Sequence, residues 1–263
     1  MNNQVAFLIT CLTDLHAGSG DTSYGFVDKT VQRDAITNFP TIFSTSLKGA
    51  LREHFEHPPT SDKPLDQNEI IKIFGSKHSV EESEMHQGNY RFFGADLLVL
   101  PVRNDSTKGV PFYRATCYEI ANRVGSYMEK LAGFSVDKIK EFKWPSTEIQ
   151  ETELAVSTEY GKGENLNDTK HLGSSVIQLP NNDFRKAAKN LPIRARNQLD
   201  NGKSENLWYE EFVPRESRFV FFVRCDEDAN LQQKFVKALH NKVIQFGANA
   251  SVGMGFCLIE KID

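Results

Sequence analysis

Asp28 lies in a polar loop, Gly25-Phe-Val-Asp-Lys-Thr-Val-Gln-Arg-Asp34, between an apolar strand and an amphipathic helix. A loop carboxylate of this kind is either a turn residue or a hard oxygen ligand. Magnesium commonly takes one or two carboxylates and completes its shell with water and substrate phosphate. His16, in the same connection, is either a strand-end histidine bonded to backbone or a general base or phosphate contact. Two glycine clusters, Gly18-Ser-Gly20 and Gly247 with Gly253-Met-Gly255, adjoin apolar strands. Lacking side chains, they are simple turns or places where main-chain N–H groups can approach an anion. Neither forms a P-loop or a dinucleotide fingerprint, so an ATPase or NAD enzyme has no support. Lys48 and Arg52, four apart on the helix, make either a solvated face or a phosphate clamp. Trp208-Tyr-Glu-Glu-Phe-Val-Pro214 sets Glu210 and Glu211 beside aromatics. Alternation along an extended chain lets only one of the two enter a given site, and a surface strand edge accounts for both without chemistry.

The elements that must position these groups follow from hydrophobic spacing. Val5 to Leu12 is a near-continuous apolar run and predicts a strand buried on at least part of both faces. Leu47, Ala50, Leu51 and Phe55 recur at helical spacing behind a Ser/Thr-rich entry. Residues 57–90 are polar and read as an insertion, with a short helix or turn at Ile70 to Phe74. Tyr90 to Arg103 and Val110 to Cys117 flank Asn-Asp-Ser-Thr-Lys-Gly109 and predict a hairpin. A helix follows over Tyr118 to Leu131. Residues 144–215 are mixed, with a strand at 149–157, a loop at 160–174, and a basic stretch, Phe184 to Arg196, that holds five cations against no acid. Ser217 to Cys225 predicts a buried strand. Leu231, Phe235, Leu239 and Val243 mark a last helix stopped by Gly247, before a terminal strand from Phe256 to Ile262. This order suits an α+β fold with a ferredoxin-like β-α-β-β-α-β core and insertions, in a single domain over 1–263.

The chain has 263 residues, 39% apolar, which is enough to bury a core. Its 31 basic and 35 acidic residues leave a net charge of −4, which excludes nucleic-acid coating by bulk charge but not a local basic groove. Four scattered cysteines without a Cys-x-x-Cys point to a reducing, cytoplasmic setting. No apolar run approaches the roughly 20 residues of a membrane span.

In combination, four blocks resemble the RAMP superfamily, and more narrowly the backbone subunit of type III-B CRISPR effectors (the Cmr complex) that carries the target-RNA nuclease. They are LHAGSGDTSYGFVDKTVQRDAITNFPTIFSTSLKGALREHF, FGADLLVLPVR with TCYEIANR, NLWYEEFVPRESRFVFF and GANASVGMGF. The resemblance implies a ferredoxin-like, RRM-like RAMP fold repeated along a CRISPR RNA beside other Cmr subunits. Complementary single-stranded target RNA is then read by base pairing. It also implies a thumb-like hairpin that splays one nucleotide at regular intervals, with cleavage there supported by a divalent cation, Mg or Mn. Residues 57–90 and 97–117 are both thumb candidates. Asp28 matches the catalytic, metal-holding aspartate; His16, Lys48 and one of Glu210 and Glu211 match further active-site positions. Gly18, Gly20, Ser46, Lys48, Arg52, Gly247, Gly253 and Gly255 match RNA-contacting ones. Three departures stand out. Phe43-Ser-Thr-Ser46 replaces Pro-Gly-Ser-Ser, Ala248 replaces a second glycine, and Phe212 stands where an aromatic hydroxyl is expected. Competing expectations are a non-catalytic filament scaffold, a guide-processing endonuclease, and an unrelated metabolic enzyme of ferredoxin-like fold.

Overall fold

The computed structural model describes residues 3–22, 26–59, 63–76, 85–149 and 156–263. The apolar runs expected at both ends of the chain form adjacent strands of one large sheet. β1 (Gln4–Cys11) lies between β13 (Arg218–Arg224) and β15 (Phe256–Ile262), antiparallel to both. Val5 to Cys11 is buried throughout, because the strand has neighbours on both edges and packing on both faces. The strand ends at Cys11, and Leu12 is exposed, contrary to the expectation that it extends the buried run. Beyond β13 come β6 (Ala95–Arg103) and β7 (Phe112–Thr116), which form the expected hairpin. β14 (Lys242–Gln245) edges the sheet next to β15, and β8 (Val156–Thr158), β9 (Gly161–Asn165) and β10 (Val176–Gln178) extend the far side past β7. Two short strands, β4 (Thr41–Ile42) and β5 (Arg91–Phe92), pair with β6 and β13.

Among the described residues, six α-helices complete a mixed α+β fold. α1 (Ser44–Glu56) connects β1's end of the chain to β6 and buries Leu47, Leu51 and Phe55. Its N-cap is Phe43, without a side-chain cap, so the Ser/Thr-rich entry does not act as a cap. α2 (Gln67–Phe74) starts on a capping box, in which Asp66 accepts from Glu69 N–H and Glu69 accepts from Asp66 N–H. Phe74 stacks on Phe92 with ring centroids 5.1 Å apart. This part of the supposed insertion therefore belongs to the core. α3 (Tyr118–Ala132) ends on left-handed Gly133. α4 (Val136–Glu141) and α5 (Asn181–Lys189) follow, and α6 (Ala229–Leu239) packs Phe235 into an aromatic cluster with Phe7, Phe55 and Tyr90. The last helix stops four residues short of Val243, which instead lies exposed in β14. The expected strand at 149–157 falls mostly outside the described residues; only β8 is seen there.

A second sheet, in the order β11-β12-β3-β2, sits against the first. It joins β2 (Gly18–Thr22) and β3 (Lys29–Val31) to a long hairpin of β11 (Ile193–Asp200) and β12 (Lys203–Glu211). From Asn197 to Leu207 every described side chain of that hairpin is exposed. The projecting hairpin is thus 193–211, whereas the strands of 97–117 run inside the large sheet. Among the described residues, no helix is long and apolar enough to cross a membrane.

Candidate active site and nucleic-acid interface

A groove of about 470 Å3 is lined by His16, Gly18, Gly20, Asp28, Ser46 and Gly247, together with Lys29 and Gln32. The first six were expected from sequence, and they come from four separate stretches of chain. Leu15 exchanges two 2.8 Å backbone hydrogen bonds with Val213, which brings the end of the first strand against the chain following β12. His16 is consequently buried, and its Nδ1 donates to the Glu211 carbonyl at 2.6 Å. A carbonyl only accepts, so Nδ1 carries the proton and Nε2 is the basic nitrogen of the neutral ring. A Cβ at Gly18 would lie 3.1 Å from Nε2, so glycine keeps that space open.

The two glycine loops meet at the same histidine. Ala248 N–H donates to the His16 carbonyl at 2.9 Å. Gly247 has φ +75°, and a Cβ there would fall 2.3 Å from that carbonyl oxygen. Only glycine allows this approach without displacement. Ala248 still contributes its N–H, so the replaced glycine costs nothing at this contact. Gly255 instead closes the turn between β14 and β15, where a Cβ would meet the Phe246 carbonyl, and Gly253 faces open space. Neither lines the groove, so the expected cradle narrows to Gly247 and its neighbour.

Gln32 is the buried polar group that ties the groove walls together, and the motifs did not reveal it. Its amide donates to the Gly18 carbonyl at 3.0 Å and to Ser46 Oγ at 2.8 Å, and it accepts from Phe43 N–H at 2.7 Å. It thereby supplies an acceptor at the start of α1 that the helix's own serines do not.

Asp28 is exposed and held on the projecting hairpin. Its N–H donates to the Tyr209 carbonyl at 3.0 Å, and its Oδ2 accepts from Tyr209 N–H at 2.8 Å. Oδ1 has no hydrogen-bond partner among the described residues. Phe26 packs on the Tyr209 ring at 4.6 Å.

The glutamate pair divides as strand alternation requires. Glu210 is buried and accepts from Trp208 Nε1 at 2.7 Å, Asn249 Nδ2 at 3.0 Å, Arg196 at 3.2 Å and Lys29 at 3.3 Å. Burial works to raise its pKa, but the Trp208 and Lys29 bonds and the Arg196 charge outweigh it and hold the carboxyl below its ordinary value. Glu211 turns the other way, accepting Val31 N–H at 3.0 Å and pairing with Arg33 at 2.5 Å. It fixes β3 and is not part of the groove. Glu210 stands behind the groove wall and reaches it through Lys29.

Lys48 and Arg52 do not line the groove either. Lys48 is half-buried, and burial lowers its pKa, as do the Arg52 and Arg91 cations near it. Arg52 pairs with Glu56 at 3.0 Å. These cations form a separate basic patch on α1. Phe212, at the position of the expected hydroxyl, is buried under the Arg194 guanidinium at 4.7 Å; the tyrosine beside Asp28 is Tyr209.

The family model described as the RAMP superfamily matches residues 8–258. The chain belongs to the RAMP superfamily. This RAMP chain is 30% identical over 287 aligned residues to the CRISPR system Cmr endoribonuclease Cmr4 of Pyrococcus furiosus, covering 93% of this chain and 91% of that protein. Its fold is similar to a chain of the type III-B Cmr-beta complex bound to cognate target RNA, with a TM-score of 0.76 at 22% identity, covering 98% of this chain and 96% of that one. It is likewise similar to oligomeric Cmr4 from Pyrococcus furiosus, with a TM-score of 0.71 at 19% identity, covering 98% of each chain.

Proposed function

We propose that this RAMP protein is a backbone subunit of a type III-B CRISPR effector and cleaves target RNA at the Asp28 groove. The convergence of both glycine loops, His16 and Asp28 on one open trough carries this reading. The near full-length similarity to an endoribonuclease of the Cmr system supports it. Partners are a CRISPR RNA, complementary single-stranded RNA, further copies of the chain and other Cmr subunits, in keeping with the oligomeric and RNA-bound relatives. A reducing cytoplasm suits the four free cysteines.

The core has the strand order β15-β1-β13-β6, with α1 between β1 and β6 and α6 between β13 and β15. We read it as ferredoxin-like, with β7 to β12 and their helices as one long excursion. We take the hairpin 193–211 as the thumb in place of 97–117; of the other candidate, 57–90, residues 60–62 and 77–84 lie outside the described residues.

RNA carries its own nucleophile, the 2′-hydroxyl, but a stacked A-form strand does not align it with the scissile phosphate. Splaying one nucleotide allows that alignment. His16 Nε2 accepts the hydroxyl proton as the 2′-oxygen bonds to phosphorus and the phosphorus–5′-oxygen bond breaks; the leaving 5′-oxygen takes a proton from water, giving a cyclic phosphate and a 5′-hydroxyl. Lys29 and main-chain N–H groups offset the charge on the phosphate. One exposed carboxylate, with an oxygen unpartnered among the described residues, fits a Mg or Mn ion, and Asp28 Oδ1 would hold it. Such an ion supplies Lewis-acid charge stabilisation.

Asp28→Ala in the assembled complex is expected to abolish target cleavage, read on gels with and without magnesium, while guide and target binding stay intact. Unchanged cutting by that variant would overturn the catalytic assignment. A wild-type complex that binds but never cuts would favour the scaffold reading.

A further inference from the structure

Phe26 is 74% exposed, a large aromatic turned to solvent two residues before Asp28. It is not loose. One face of its ring lies on Tyr209 at a 4.6 Å centroid distance and a tilt of 32°. Tyr209 is also the residue whose N–H holds the Asp28 carboxylate. The exposed aromatic and the carboxylate are therefore anchored on one residue of the projecting hairpin. Next along that strand, Trp208 carries Lys29 over its ring at 5.1 Å, and Lys29 lines the groove. A flat apolar surface, a cation and a carboxylate are thus grouped at the edge of the trough.

We propose that Phe26, backed by Tyr209, is a stacking platform for the base of the nucleotide displaced at the cleavage point. The proposal rests on the RNA-cleaving function above. The occupant is a nucleobase because the site pairs an aromatic face, which every base can stack on, with a cation placed for the attached phosphate. Stacking reads no sequence, as suits a protein that leaves sequence to base pairing. Docking the base two residues from Asp28 sets the neighbouring phosphate at the carboxylate and limits rotation of the displaced nucleotide. Phe26 is a positioning residue, acting on the substrate's orientation.

The test uses the assembled complex and target RNAs with 2-aminopurine placed in turn at each position. A 2′-deoxy sugar at the scissile nucleotide prevents cleavage. An unstacked 2-aminopurine is bright and a stacked one is quenched. At the displaced position, wild-type protein should leave the analogue largely quenched. Phe26→Ala should brighten it severalfold and slow single-turnover cleavage of the all-ribose target about tenfold. Phe26→Trp should restore both. If Phe26→Ala brightens the same position no more than wild type does, the platform is wrong though a displaced nucleotide stands. If no position brightens in Phe26→Ala and the wild type still cuts, both the displaced nucleotide and its platform are overturned. If neither complex cuts the all-ribose target, the cleavage reading itself falls.

Discussion

Gly247 and Gly253 share a residue type and a left-handed backbone, yet the structure asks different things of them. At Gly253 (φ +79°) a Cβ meets nothing within 4 Å, whereas at Gly247 it collides with the His16 carbonyl. Gly253→Ala should cost only the left-handed penalty, about 1 kcal/mol. Gly247→Ala should cost about 2–3 kcal/mol, adding the displaced contact, and should also impair cleavage by parting the two loops. Chemical denaturation of the two variants separates these outcomes; equal losses would show that the loops do not need this close approach. At the same scale, the two glutamates were indistinguishable as neighbours in sequence. Their separate partners, Lys29 and Arg196 for one and Arg33 for the other, decide which can influence the groove.

The elements most visible in advance were the continuous apolar runs of β1 and β13 and the helically spaced apolar faces of α1 and α3. The hairpin β11–β12 was hidden because its outer half faces solvent on both sides and leaves no apolar alternation to read. His171, in the chain leading to β10, illustrates a different kind of hidden packing. Its ring meets Phe142 edge-on at 4.6 Å. Burial, aided by Lys170 and Arg218, pushes its pKa down to about 4. The folded state keeps this histidine neutral while the unfolded chain protonates near pH 6.5. The stability it permits is therefore complete above pH 6.5 and declines as pH falls toward 4. Between pH 7 and pH 5 the wild type should lose about 2 kcal/mol from this group. His171→Gln should show a correspondingly smaller drop in melting temperature over that interval, and an identical drop would remove His171 as the cause.

Across the whole molecule, the net charge of −4 fits an RNA-binding chain only if its cations are placed selectively. The basic stretch from Phe184 to Arg196 is not a free strip. Arg185 pairs with Glu119, Lys186 with Asp183, Arg194 with Asp14 and Arg196 with Glu210. Acids both near and distant in sequence pair with four of its five cations. The groove and α1 present Lys29 and Lys48 to RNA, a small footprint for one subunit. Avidity along a shared strand can compensate. The isolated chain should therefore bind a short RNA weakly, with affinity falling steeply between 50 and 200 mM salt in filter or anisotropy assays. Tight, salt-insensitive binding by the monomer would contradict this arrangement.

Periodicity was enough to mark the main strands and helices, and the resemblance of four sequence blocks to the superfamily marked six of the groove residues, since each is a local property of the chain. Gln32, Tyr209 and Asn249 carried no such signal. Gln32 matters because Gly18, Phe43 and Ser46 converge on it, and Tyr209 because Asp28 lands on its backbone. Asn249 matters because it reaches Glu210. Hydrogen bonds and ion pairs between distant segments depend on where the chain returns, and that is set by packing the whole core at once.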